Sequence, residues 1–162
     1  MLKWLSIVVL SLCIPATAFA QQKSLTPADY EDIRALYSRY VYGYDSGDAQ
    51  MVASVFAADA RLTIGGNVIG DSREKITSGI KPRVGMSGMR HIPTNILIEP
   101  TAEGAKGTQY LMLMNFSDGK APSVTSGGVY HDTIVKTADG WRFKTREVTW
   151  FSQPPAPQTT AR

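Results

Sequence analysis

The chain has 162 residues, enough for one domain with a self-sufficient core. Its 17 basic and 14 acidic residues give a formal net charge of +3 and are scattered, with no basic stripe or arginine–aromatic run, which excludes the footprint of a nucleic-acid binder. The single cysteine, Cys13, lies in the first apolar stretch, so disulfides, thiolate nucleophiles and cysteine metal sites are excluded from the rest.

Residues 1–20 read as a secretory signal peptide. Lys3 supplies the positive start, Trp4 to Ile14 the apolar run, and Ala18 and Ala20 of Ala18-Phe19-Ala20 the two small residues a signal peptidase reads, with cleavage before Gln21. The run is too short for a permanent membrane span. Leu12 before Cys13 is wrong for a lipoprotein site. The expectation is an exported protein, periplasmic or secreted, with no stable membrane association after cleavage. The domain is expected over 21–152.

Thr26-Pro27-Ala28-Asp29 is a helix start, with threonine as N-cap and proline at the first helical position. Ile33, Leu36, Tyr37, Tyr40, Val41 and Tyr44 follow at helical spacing, and Asp45-Ser46-Gly47 should end the helix. Asp48 can cap a short second helix with Met51, Val52, Val55 and Phe56 on its buried side. Arg61–Ile64 and Val68–Ile69 read as a hairpin around Gly65-Gly66-Asn67. Asp71 or Ser72 caps a third helix through about Ser78, with Ile76 and Ile80 inward.

The period then changes to two. Four strands are predicted over 89–99, 106–116, 123–136 and 141–152, separated by turn chemistry such as Ser117-Asp118-Gly119 and Ala138-Asp139-Gly140. The tail 153–162, rich in Pro, Thr and Ala, is predicted to be disordered. Helices followed by a meander of long strands imply an α+β fold. The helices would pack in the concave face of a strongly bent, mainly antiparallel sheet, leaving a conical cavity.

The residues that could carry chemistry are few. Asp45 ends the first helix, where the helix dipole opposes a carboxylate, so its presence there gains nothing from the helix itself. His91 is expected on one strand face with Asn95, opposite Ile92, Thr94, Ile96 and Ile98. Tyr40 and Tyr44 share a helical face and can reach a common cavity. His131 and Asp132 alternate on one strand, so one of the two faces inward. Arg146 is expected with Lys144, Val148 and Trp150 on its face. Two histidines and an aspartate could form an iron site, but no local spacing supports one, and no metal or organic cofactor is expected.

At this point the sequence resembles the SnoaL-like proteins of the nuclear transport factor 2-like superfamily. The resemblance rests on the segments 33–40, Tyr44-Asp45-Ser46-Gly47-Asp48 and 55–60. It extends through Gly70 with Ile76, Arg90-His91 with Thr94-Asn95, and Asp139-Gly140-Trp141-Arg142-Phe143. It implies a cone-shaped α+β barrel. The scytalone dehydratases and hexachlorocyclohexane dehydrochlorinases of that superfamily have similar patterns. By that resemblance Asp45, His91, Arg146 and Tyr44 would be catalytic and His131 would line the pocket; Asn115, and from their helix and strand faces Tyr40, Asn95 and Trp150, are the further pocket candidates. Asn115 stands where scytalone dehydratases carry a second histidine, which argues against that activity. The implied function is a cofactor-independent lyase acting on an aromatic or polycyclic small molecule. An isomerase using the same base, with Asp132 or Tyr44 as proton donor, and a binding-only protein are the alternatives. A homodimer or homotrimer is the assembly the resemblance suggests. Met89, Met112 and Met114 are candidate cavity residues.

Overall fold

The computed structural model describes residues 24–86, 88–117, 119 and 121–151; the expected signal peptide and the C-terminal tail lie outside them. Helix α1 spans Pro27–Ser46. It opens on a full capping box, in which the Asp29 backbone N donates to Thr26 Oγ1 at 3.2 Å and the Thr26 N to Asp29 Oδ2 at 3.0 Å. It ends at Gly47, whose φ of 82° closes the helix in the left-handed conformation. Ile33, Leu36, Tyr37, Tyr40 and Tyr44 form its buried face. Asp29 also accepts from Lys136 Nζ at 2.7 Å and Trp141 Nε1 at 2.9 Å, fastening the helix start to the far end of the chain.

Asp48 caps α2, Ala49–Ser54, through a 2.8 Å bond from the Met51 backbone N. Phe56 does not belong to that helix. It opens strand β1, Phe56–Ile64, and is fully buried. β2 is Asn67–Gly70, and α3, Arg73–Ile80, is capped by Ser72 and buries Ile76 and Ile80. The long strands are β3 (Met89–Pro100), β4 (Gly104–Asn115), β5 (Ser123–Thr137) and β6 (Gly140–Trp150).

The six strands form one sheet in the order β2-β1-β6-β5-β4-β3. Every neighbouring pair is antiparallel except β1 with β6, which run parallel. Helix α1 touches both β3, at one edge, and β6, near the other, so the sheet curls around it into an open cone. β-bulges help the strands to bend. In β3 the pairing with β4 shifts between Thr94 and Leu97, where Asn95 takes a φ of 53°. Asparagine is one of the few side chains that accepts this conformation. In β6 the register skips Lys144, which turns outward to pair with Asp59.

These bulges correct two expectations. Strict alternation puts Asn95 beside His91 and puts Ile96 and Ile98 on the opposite face. The bulge reverses the phase, so Asn95 is exposed while Ile96 and Ile98 pack against the core. Likewise Lys144 leaves the Arg146 face, and Trp141 and Phe143 are brought into the core.

Candidate functional site

Asp45 sits one residue before the end of α1 and His91 near the start of β3. The fold brings them together. His91 Nδ1 lies 2.7 Å from Asp45 Oδ1, and the His91 backbone N donates to the same carboxylate at 3.2 and 3.3 Å. These bonds offset the unfavourable helix terminus. A carboxylate only accepts, so in the neutral imidazole Nδ1 carries the ring proton and Nε2 keeps the lone pair. Both side chains are mostly buried, at 17% exposure for His91 and 15% for Asp45. This is the arrangement of an oriented general base.

The pair borders a cavity of about 250 Å³ between α1 and the sheet. Its walls are Ile64, Met86, Met89, Leu111, Leu113, Val148 and Trp150, with Tyr40, Tyr44 and Tyr130 adding rings. Tyr44 stacks obliquely beside His91, with ring centroids 5.2 Å apart. Burial pushes the Tyr40, Tyr44 and Tyr130 hydroxyls well above the usual phenol range, so all three stay protonated at neutral pH. The buried Tyr44 hydroxyl makes no hydrogen bond of normal geometry among the described residues, its interaction with the Tyr40 hydroxyl being a loose one, which leaves it able to turn to a ligand. A mainly apolar cavity with a few convergent polar groups is the usual form of a small-molecule site.

Arg146 lies behind this cavity, not in its lining. Its side chain is completely buried and gives Nε and Nη2 to the two oxygens of Asp132, both at 2.8 Å. The guanidinium carbon is 3.9–4.9 Å from the ring centroids of Tyr37, Tyr40, Phe143 and Tyr130. Burial alone would lower the Arg146 pKa, but Asp132 overrides it and holds the group above its ordinary value. The expected direct contact between Arg146 and a ligand is therefore replaced by an indirect one. Arg146 backs Tyr40 and Tyr130, which do line the cavity, and its charge opposes the upward push on their hydroxyls.

The other predicted residues divide cleanly. Tyr40, Tyr44 and Trp150 line the cavity. His131 does not; it is exposed on the outer sheet face, paired in register with Glu147, while Asp132 points inward. Asp132 is engaged on both oxygens by Arg146 and cannot serve as an acid donor to a ligand. Asn115 accepts from the Ser117 backbone N at 2.7 Å in the turn after β4, outside the cavity. Of the methionines, Met89 lines the cavity, whereas Met112 is 37% exposed and Met114 is not among the lining residues. With His131 on the other face, His91, His131 and Asp45 do not converge. No cluster of three His, Cys, Asp or Glu suited to a metal occurs among the described residues. None of the described helices is long and apolar enough to cross a membrane.

Sequence reasoning missed Tyr130 and Arg83. Tyr130 shares the inward phase of Asp132 and Ile134, but neither phase of β5 is uniformly apolar, so alternation did not choose between them. Arg83 follows α3 in an irregular segment, where no periodicity operates.

Residues 26–147 match the family profile described as a SnoaL-like domain. Among curated proteins none matches the chain significantly. Solved structures do. A protein of unknown function with a cystatin-like fold from Nostoc punctiforme is 22% identical, with a TM-score of 0.71, covering 83% of this chain and 98% of that one. A protein assigned as a scytalone dehydratase from Novosphingobium aromaticivorans is 20% identical, with a TM-score of 0.66 over 83% and 96% of the two chains. LinA is 21% identical, with the same TM-score, over 83% and 94%. At these identities the structures establish a shared fold.

Proposed function

The chain belongs to the SnoaL-like domain family, and on that premise we propose that it is an exported lyase that carries out base-promoted elimination on a small aromatic molecule. Members of the family bind small-molecule substrates, and structures with this fold include one assigned as a scytalone dehydratase. The observation that carries the reading is the 2.7 Å contact between His91 Nδ1 and Asp45 Oδ1 on the wall of an apolar cavity.

His91 Nε2 takes a proton from a carbon next to an activating carbonyl. Asp45 keeps the ring in the productive tautomer and stabilises the imidazolium that forms. The electron pair released from carbon forms the new double bond and expels the leaving group. The imidazolium proton then passes to the departing hydroxide, giving water, or to another departing oxygen. Tyr40 and Tyr44 donate hydrogen bonds to the oxygen on which charge develops. Loss of a small carbonyl fragment instead of water uses the same groups.

Isomerisation is a second reading, favoured by Tyr44. Its buried, protonated hydroxyl belongs to a ring 5.2 Å from His91 and could return the proton at another carbon.

The purified protein, incubated with a library of aromatic hydroxy-carbonyl compounds and followed by mass spectrometry, should convert at least one compound with a mass loss matching water or formaldehyde. His91→Asn and Asp45→Asn should lower turnover by roughly 10²–10⁴-fold while leaving ligand binding largely intact. A product of unchanged mass would favour the isomerase. Turnover unaffected by either substitution would sink both enzyme readings.

A further inference from the structure

The cavity holds one acid–base pair and, among its lining residues, one further charge: Arg83. The Arg83 backbone is fixed at both sides. Its N donates to the Ile80 carbonyl at 2.7 Å, and two residues later Gly85 N donates to the Tyr44 carbonyl, also at 2.7 Å. The segment that carries Arg83 is thereby stitched to the end of α1, directly before Asp45. The guanidinium gives Nη1 to the Gly79 carbonyl. No carboxylate among the described residues lies within ion-pair distance of it. Asp45, the one acid in the lining, is engaged by His91. The Arg83 charge reaches the Tyr44 hydroxyl, where it opposes the rise caused by burial. Tyr44 is therefore beside the base and within the field of the cation.

We propose that Arg83 anchors the anionic group of the substrate, and that the substrate is a one- or two-ring aromatic acid whose carboxylate lies against Arg83 while its ring enters the cavity. This rests on the elimination reading for the role of His91 but adds the substrate class. A guanidinium with no carboxylate partner keeps free N–H donors in the geometry that suits a carboxylate. The cavity, at about 250 Å³, falls at or below the small end of ligand pockets, which suits one or two rings. Its walls are aromatic and aliphatic, so the only favourable place for the acid is the cationic mouth.

The test uses 2-naphthoate and its neutral isostere 2-naphthamide as probes, titrated into the full mature protein and read by isothermal calorimetry at constant pH and low salt. Wild type should bind the acid roughly tenfold more tightly than the amide, and raising the salt should shrink that ratio. Arg83→Gln should bring the ratio to about one, and Arg83→Lys should retain part of it. Arg83 is exposed, so both variants should keep the wild-type melting temperature, and this is checked first. His91→Asn should keep the acid preference. Equal binding of acid and amide by wild type, no binding of the acid, or an unchanged ratio in Arg83→Gln would each overturn the proposal. The dyad reading stands or falls separately, on the turnover of His91→Asn.

Discussion

Replacing Arg146 with Met removes a guanidinium from the middle of the core and leaves a side chain of comparable reach among the same rings. What it strands is Asp132. Both side chains of the pair have 0% exposure, so the carboxylate would stay buried without the two 2.8 Å bonds that compensate its desolvation. Breaking one side of such a pair costs about 3–5 kcal/mol. That is a large part of the ~5–15 kcal/mol that holds an ordinary domain folded. It should lower the melting temperature by roughly 10–20 °C. The double variant Arg146→Met/Asp132→Leu removes both charges and should return to within about 1 kcal/mol of wild type, because apolar pairs of similar volume replace buried ion pairs well. Equilibrium urea unfolding of wild type, both single variants and the double variant, followed by tryptophan fluorescence, measures the coupling directly. A loss below about 1 kcal/mol in Arg146→Met, or a double variant as unstable as the single one, would refute the reasoning. The double variant also asks what the arginine does for the pocket. If it serves as backing for Tyr40 and Tyr130, 2-naphthoate binding should stay within about threefold of wild type, since a small wall displacement is all that remains.

Asp29 predicts an acid-sensitive fastening. Lys136 first, then Thr26 and Trp141, hold its carboxyl well below the usual carboxylate range. A depressed folded-state pKa contributes stability that is complete above the unfolded value near ~4 and is lost as pH falls below it. Asp29→Asn should therefore lower stability at neutral pH and flatten its decline between about pH 4 and pH 2, as followed by urea midpoints across pH. At Asn95, whose φ is 53°, Asn95→Val should cost about 1–2 kcal/mol and Asn95→Gly should stay within about 0.5 kcal/mol, both read by urea unfolding. Equal effects of valine and glycine would mean that the bulge imposes no backbone demand there.

Much of the frame was legible from local chemistry. Thr26, Pro27 and Asp29 mark the start of α1, Gly47 its end and Ser72 the start of α3, because capping needs particular residues at particular places. Asp45 and His91 each had an ordinary structural explanation when taken alone, one as a residue of a helix-ending turn and the other as a hydrogen-bonded strand histidine. Their meeting spans 46 positions and needed the family pattern to anticipate. The sheet faces were less legible. A bulge costs one residue and reverses every side chain beyond it, and nothing around Asn95 or Lys144 announces one. That is why Asn95 was expected in the pocket and Lys144 beside Arg146. Arg146 itself illustrates a different limit. Its chemistry depends on Asp132 across the sheet, and an arginine in a strand reads the same whether it meets a ligand or a buried carboxylate.

The parallel pairing of β1 with β6 has a consequence for the order in which the molecule can assemble. β1 is made early, and its main-chain partner on the inner side is the last strand of the domain. Until Gly140–Trp150 leaves the ribosome, β1 has only the short β2 to pair with, and Phe56 and Leu62 have no completed sheet to bury them. The helical half can form its turns but cannot close its core. Closure of the sheet therefore waits for β6, and until then one edge of β1 has no long strand beside it.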